Sequence, residues 1–180
     1  IPVVREAVKL GAPVSVDTYK PEVMQSVLDL GADIVNDIWA LRRAGAVDVV
    51  AAHPRCGVCL MHMHRDPQTM QVAPMEGRVL APVLQFLGDR AASLGAKGVR
   101  RERIVLDPGI GFGKSVQQNF ELLAEQSALG QLPYPWLVGW SRKSSLGAVT
   151  GRELPADRVA ASVAAHLRRF YGEPPAFDAR

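Results

Sequence analysis

Ile104-Val-Leu-Asp107-Pro108-Gly109-Ile-Gly111-Phe112-Gly113-Lys114 reads as a buried strand that ends in a carboxylate and opens into a loop with three glycines in five residues. Three other apolar runs finish in the same way: Pro13-Val-Ser-Val-Asp17-Thr18, Ala32-Asp-Ile-Val-Asn36-Asp37 and Trp136-Leu-Val-Gly139-Trp-Ser141-Arg142-Lys143. In a parallel α/β sheet such ends lie on one edge. Residues far apart in sequence would then converge on one ligand.

Around these runs, strand-like segments alternate with amphipathic helical ones, the signature of repeated βα units. The spacing predicts strands over 14–18, 34–38, 58–63, 103–107 and 136–141. Helices are expected over 1–10, ending at Gly11, and over 21–30, 46–52, 76–95, 117–129 and 155–170. Thr18 is the expected cap of the helix that begins near Pro21, and Gly31 and Gly95 suit left-handed helix ends. The first helix presents Val4, Ala7 and Val8, a face that needs a preceding strand to pack on. Five strands cannot close an eight-stranded barrel, so the pattern fits an open sheet or a piece of a barrel.

With 180 residues, 48% of them hydrophobic and 22% charged, the chain can bury a core and make one domain. No apolar run approaches the roughly 20 residues of a membrane span, and no signal-peptide pattern opens the chain, which makes a cytoplasmic protein the default. A net charge of +3, spread thinly, does not imply nucleic acid and is compatible with anionic small molecules. Cys56-Gly-Val-Cys59, with His53, His62 and His64 close by, invites a metal or redox reading. Cys59, however, enters a strand where it would be packed, and spaced Cys/His ligands should come in sets of three or four. Two buried thiols are expected.

The loop after Asp107 is neither of the phosphate motifs it approaches. A P-loop needs glycine where Pro108 stands, and a dinucleotide fingerprint needs glycine where Lys114 stands. What remains is a loop whose backbone can approach a flat ligand, with Phe112 as a stacking face, or a tight turn after a core strand. Asp17 could bond the amides of the next helix or a ligand, and Asn36 and Asp37 carry the same ambiguity. An Asn can read both a donor and an acceptor on a heterocycle edge. Met61 and Met63 suit the core, or an aromatic ring where one faces a pocket. His62 and His64, at spacing two on a strand face, read as core or rim histidines. Ser141-Arg142-Lys143, leading toward Ser144-Ser145, forms either an anion site with helix-start amides or a solvated charged turn.

Taken together, the motifs resemble dihydropteroate synthase, of the pterin-binding enzyme family. The resemblance runs from residue 1 to about 166. It rests on Ser15-Val-Asp17-Thr-Tyr-Lys-Pro-Glu-Val23, Val35-Asn36-Asp37-Ile38, Cys59-Leu-Met61-His-Met63, Leu106-Asp107-Pro-Gly-Ile-Gly-Phe-Gly-Lys114 and Gly139-Trp-Ser141-Arg142-Lys143-Ser144. It implies a partial (β/α)8 TIM barrel, of about five parallel strands here, and the condensation of (7,8-dihydropterin-6-yl)methyl diphosphate with 4-aminobenzoate. The pterin would meet Asp107, Asn36, Asp17, Ile38, Met61, Gly111, Phe112, Gly139 and Lys143, with Asp17 and Lys143 as the catalytic pair. Ser141 and Arg142 would hold the aminobenzoate carboxylate. Mg2+ assistance and a homodimer are also implied, with no metal ligand in this chain. The family's first two βα units, with the asparagine that helps bind metal, have no counterpart here, and neither does the Arg-x-His pair of its last strand. Residues 1–167 are therefore expected to form the pterin-binding domain. Residues 168–180 would be a divergent, poorly ordered tail, out of frame or truncated. A related pterin-binding methyltransferase and a catalytically incompetent fragment are the alternatives.

Overall fold

Each of the first four apolar runs becomes a strand of one sheet, and each is preceded and followed by helix. A computed structural model describes residues 1–171 of the chain. In order it contains α1 (Pro2–Ala7), continued by a 3-10 turn over Val8–Leu10; β1 (Ser15–Asp17); α2 (Pro21–Asp29); β2 (Ile34–Asp37); α3 (Ala46–Ala52); β3 (Gly57–Met61); α4 (Leu80–Ala96); and β4 (Ile104–Asp107). There follow α5 (Val116–Ala124), a 3-10 stretch over Gln126–Gln131, α6 (Ser144–Thr150), a 3-10 turn over Pro155–Arg158 and α7 (Val159–Tyr171). The segment expected to diverge after Leu167 thus starts inside α7, and residues 172–180 lie outside the described residues. Two compact units divide the chain. One holds Ile1–Met63, Ala81–Gly109 and Gly130–Leu137, the other His64–Leu80, Ile110–Leu129 and the residues from Val138 on.

The first unit contains the whole sheet, ordered β1-β2-β3-β4 with every pairing parallel. Val35, Val58, Leu60, Ile104 and Leu106 form one apolar face of it. Met24 and Leu28 of α2, Ala46 and Val50 of α3, and Val83, Leu87, Ala91 and Leu94 of α4 cover that face. Each fully buried Leu or Ile contributes about 1.5–3 kcal/mol, so this face holds the unit together. The expected strand over 136–141 shrinks to one parallel bridge between Leu106 and Trp136. Its partner strand β4 ends at Asp107, one residue past that bridge, and further along the run the backbone turns left-handed at Arg142, at φ 57°.

Helix ends differ from expectation in several places: α5 ends at Ala124 rather than 129, and α7 starts at Val159 rather than 155. Lys20, not Thr18, is the N-cap of α2 and makes no side-chain cap, while the Thr18 hydroxyl accepts the Lys20 N–H at 3.2 Å. Gly31 does take a left-handed backbone, but Gly95 is helical within α4 and Gly98, at φ 81°, makes the turn. Pro82 accounts for the late start of α4 at Leu80 rather than residue 76, because proline fits a helix only in its first turn.

In the second unit α5 starts with a capping box. Ser115 Oγ accepts the Gln118 N–H, and Gln118 Oε1 accepts the Ser115 N–H at 2.8 Å. The Gln118 amide then donates to the carbonyls of Met75 and Gly77 at 2.7 and 2.9 Å, tying the 64–80 segment to α5. Val79, Ile110, Leu122, Leu123, Trp140 and Leu146 make the core of this unit. Helix α6, absent from the expected elements, contributes Leu146.

Candidate functional site

Residues paired across a parallel sheet point to the same side, and sides alternate along each strand. The register therefore sorts the expected site residues. Asp17 pairs with Asn36, Asn36 with Cys59, and Met61 with Asp107, so Asp17, Asn36, Cys59, Met61 and Asp107 share the face opposite the apolar core. Asp37 pairs with Leu60 and belongs to the core side.

On the open face, Asp107 is 8% exposed and its Oδ1 accepts the Gly109 N–H at 2.7 Å, so the carboxylate also shapes the loop it opens. Partial burial raises the Asp17 carboxyl above its ordinary range. Cys59 lies beneath Met61 on the same face. Its burial, with the Asp107 and Asp17 carboxylates nearby, pushes the thiol up to about 12 and keeps it neutral. Both cysteines are buried and free, as the sequence suggested. The membership of Cys59 in this face was missed, although its spacing of two from Met61 signals it.

Asp37 is fully buried and holds backbone. Its Oδ1 accepts the Trp39 N–H and its Oδ2 the Leu41 N–H, both at 2.8 Å. Ala40 and Leu41 are left-handed, at φ 51° and 55°, and Arg90 of α4 donates to both of their carbonyls at 2.8 and 3.0 Å. Half-buried Ile38 sits at the start of this clamped turn. Trp39 has the guanidinium groups of Arg42 and Arg43 each 4.8 Å from its ring. Desolvation raises the Asp37 carboxyl, with the Trp39 and Leu41 amides and Arg42 opposing. His62 packs edge-on to Phe86 at 5.1 Å, a core histidine. Because β3 ends at Met61, His62 and His64 do not share a strand face.

The second unit gathers Gly111, Phe112 and Lys143. Lys143 Nζ stands 4.7 Å from the centre of the Phe112 ring, and a Cβ on Gly111 would meet the Lys143 methylenes at 3.5 Å. Asn119 Oδ1 accepts the Gly111 N–H at 2.8 Å, and the Gln71 amide donates to the Gly111 carbonyl at 2.8 Å. Asn119, 1% exposed, also donates to Ser145 Oγ at 2.9 Å. These two amides carry the loop, and no sequence motif singled them out. Gly113, at φ 72°, packs so closely on His64 that a Cβ would lie 2.6 Å from the His64 Cβ. Gly139 faces open space. Ser141 and Arg142 border a cavity of about 460 Å³ walled by Val159, Val163 and Leu167.

Among the described residues, no three His, Cys, Asp or Glu side chains are grouped so that they could hold a metal ion.

A profile of the family described as pterin binding enzyme matches residues 1–170. The chain belongs to the pterin-binding enzyme family. It is 42% identical over 170 residues to the dihydropteroate synthase of Neisseria meningitidis serogroup B, which covers 92% of this chain and 60% of that relative. Among solved structures, Xanthomonas albilineans dihydropteroate synthase with 4-aminobenzoic acid superposes with a TM-score of 0.84 at 47% identity, covering 92% of this chain and 59% of that one. Burkholderia cenocepacia dihydropteroate synthase complexed with 7,8-dihydropteroate does so with a TM-score of 0.83 at 50% identity, covering 92% and 61%. The chain thus spans about 60% of the length of the curated relative from Neisseria. The four parallel strands and their helices are part of a TIM barrel of this family.

Proposed function

We propose that the chain carries the pterin-binding portion of a cytoplasmic dihydropteroate synthase, which joins (7,8-dihydropterin-6-yl)methyl diphosphate to 4-aminobenzoate and releases pyrophosphate and 7,8-dihydropteroate. One observation carries this reading: two carboxylates and an amide, Asp17, Asp107 and Asn36, stand on the open face of the parallel sheet at its C-terminal edge. A pterin's amino group and ring N–H present donors to a carboxylate, and its ring edge presents a donor and an acceptor together, which an Asn reads. In this assignment Asp107 and Asn36 bind that edge, Asp17 approaches the ring from the other side, and Met61 and Ile38 line the ring. From the second unit, Lys143 is assigned to the pterin carbonyl and ring nitrogen, Gly111, Phe112 and Gly139 to the surrounding wall, and Ser141 and Arg142 to the aminobenzoate carboxylate.

The chemistry follows from the charges. The methylene C–O bond breaks and diphosphate leaves with the electron pair. The amine nitrogen of aminobenzoate supplies the pair for the new C–N bond and then loses a proton. Positive charge grows on the pterin methylene, and the carboxylate of Asp17 stabilises it. Mg2+ assistance at the diphosphate and a homodimer belong to this reading; sedimentation of a monomer alone would refute the dimer.

Calorimetric titration of the folded chain with 6-hydroxymethyl-7,8-dihydropterin tests the reading. Binding that weakens about 10- to 100-fold in Asp107→Ala is expected for a lost bond to a charged acceptor. A folded wild-type chain that binds no pterin, or equal affinity in the variant, would refute it.

A further inference from the structure

We propose that Arg158 and Ser162 are positioning residues for the Ser141–Lys143 turn; the proposal deepens the pterin-binding reading and rests on it for its ligand. Arg142, at the middle of the turn, is a non-glycine residue at φ 57°. A side chain in that region is strained and persists only where the surroundings over-determine it. Here both of its own peptide groups are held from downstream. The Arg142 N–H donates to Ser162 Oγ at 2.9 Å, and Arg158 Nη1 donates to the Arg142 carbonyl at 2.9 Å.

The two holders are themselves fixed. The Ser162 hydroxyl donates to the Arg158 carbonyl at 2.7 Å, which fixes its hydrogen and leaves the oxygen's lone pairs to accept the Arg142 N–H. Ser162 is 6% exposed, so water does not compete well for that bond. Arg158 Nε donates to the Arg152 carbonyl at 2.9 Å, and its Nη2 donates to the Glu153 carbonyl. A Cβ at Gly147 would lie 2.6 Å from both the Arg152 carbonyl oxygen and Arg158 Nε, so the guanidinium passes there only because residue 147 is glycine. The bonds found for the Arg158 fork all go to backbone carbonyls, which makes it a tie rather than a further anion ligand.

What the tie positions is the next residue. Lys143 closes the turn with its N–H on the Trp140 carbonyl at 3.3 Å, and its side chain reaches across Gly111 to the Phe112 ring. Releasing Arg142 would let φ relax and would swing Lys143 off that ring. Ser141, on the other side of Arg142, would move with it.

Two measurements on the full chain test this. The first is amide hydrogen exchange, which needs no ligand. Ser162→Ala should speed exchange at the Arg142 amide about tenfold relative to amides of α5, and unchanged exchange there would overturn the proposal. The second is titration with 6-hydroxymethyl-7,8-dihydropterin. Arg158→Gln should weaken binding about tenfold, and adding it to Lys143→Ala should weaken binding no further than Lys143→Ala alone. Full additivity would overturn the proposal, because a merely stabilising residue would not share its effect with Lys143. If the wild-type chain binds no pterin, the functional reading fails, while the exchange at Arg142 still decides whether the turn is held as described.

Discussion

Replacing Asp37 by alanine removes the group that holds the turn after β2. Its two oxygens accept the Trp39 and Leu41 amides at 2.8 Å each, and Leu41 is 2% exposed, so the freed amide has no route to water. A hydrogen bond to a charged group is worth about 1.5–3 kcal/mol, giving about 3–6 kcal/mol for the pair. Part of that is offset, because the buried carboxylate carries a desolvation cost that shows in its raised pKa. A net loss of about 2–4 kcal/mol is expected at neutral pH. Asp37→Asn keeps the shape and one acceptor and should lose about 1 kcal/mol. The pH dependence has a definite sign. The folded-state carboxyl titrates above its ordinary 3.8, so the folded chain binds that proton more tightly than the unfolded chain. Wild-type stability through this group is highest below about 3.8 and falls as pH rises through the raised value, and Asn lacks that slope. The gap between wild type and Asp37→Asn should therefore narrow with rising pH. Urea unfolding, followed by circular dichroism and tryptophan fluorescence across the acidic range, measures both effects. A loss below about 1 kcal/mol in Asp37→Ala, or a gap that widens as pH rises, would refute the reasoning.

Gly113→Ala places a methyl 2.6 Å from the His64 Cβ at a left-handed φ, and should lower stability by about 2 kcal/mol or more in thermal unfolding; an unchanged midpoint would count against the close approach. Cys59, at about 12, is thiolate in only about one molecule in ten thousand at pH 8, and Cys56 is also raised. A disulfide reagent should therefore label neither until denaturant is added, and fast labelling in native buffer would contradict the burial. Gln118→Leu removes the capping box and both ties to the 64–80 segment, so limited proteolysis should cut that segment faster, with stability lower by about 1–3 kcal/mol. Equal cutting rates would show that the segment is held elsewhere.

The alternation of apolar runs and helical stretches made the parallel sheet legible, because a strand covered by helices must be apolar on its covered side and must end in polar residues at its edge. Helix ends were less legible. Thr18 has the right chemistry for a cap, yet Pro21 starts α2 and leaves Thr18 outside it. The sequence did contain signals that went unused: Pro82 dates the start of α4, and Ser115-x-x-Gln118 announces α5. The run over 136–141 misled because its composition is that of a strand. The left-handed turn at Arg142 that closes this run is fixed by partners 16 and 20 residues away. No local pattern encodes that.

Adjacent residues at a strand end divide the labour of a site. Asn36 and Asp37 are indistinguishable by composition, but pleating sends one to the open face and the other to the helices. The one facing outward can meet a ligand; the one facing inward meets Trp39 and Leu41 and, with Arg90, fixes the turn that follows the strand end. The second unit repeats the arrangement with other residues, since Arg142 is held by Arg158 and Ser162 while Lys143 reaches Phe112. In both places a left-handed, non-glycine backbone stands beside a proposed ligand contact and is tied by a buried polar side chain. Strain of this kind lowers stability, and its cost is met by bonds that a loop free to move would not need. A chain selected only to fold would place glycine at Ala40, Leu41 and Arg142; side chains there, with dedicated partners, are what a site requiring fixed geometry would retain.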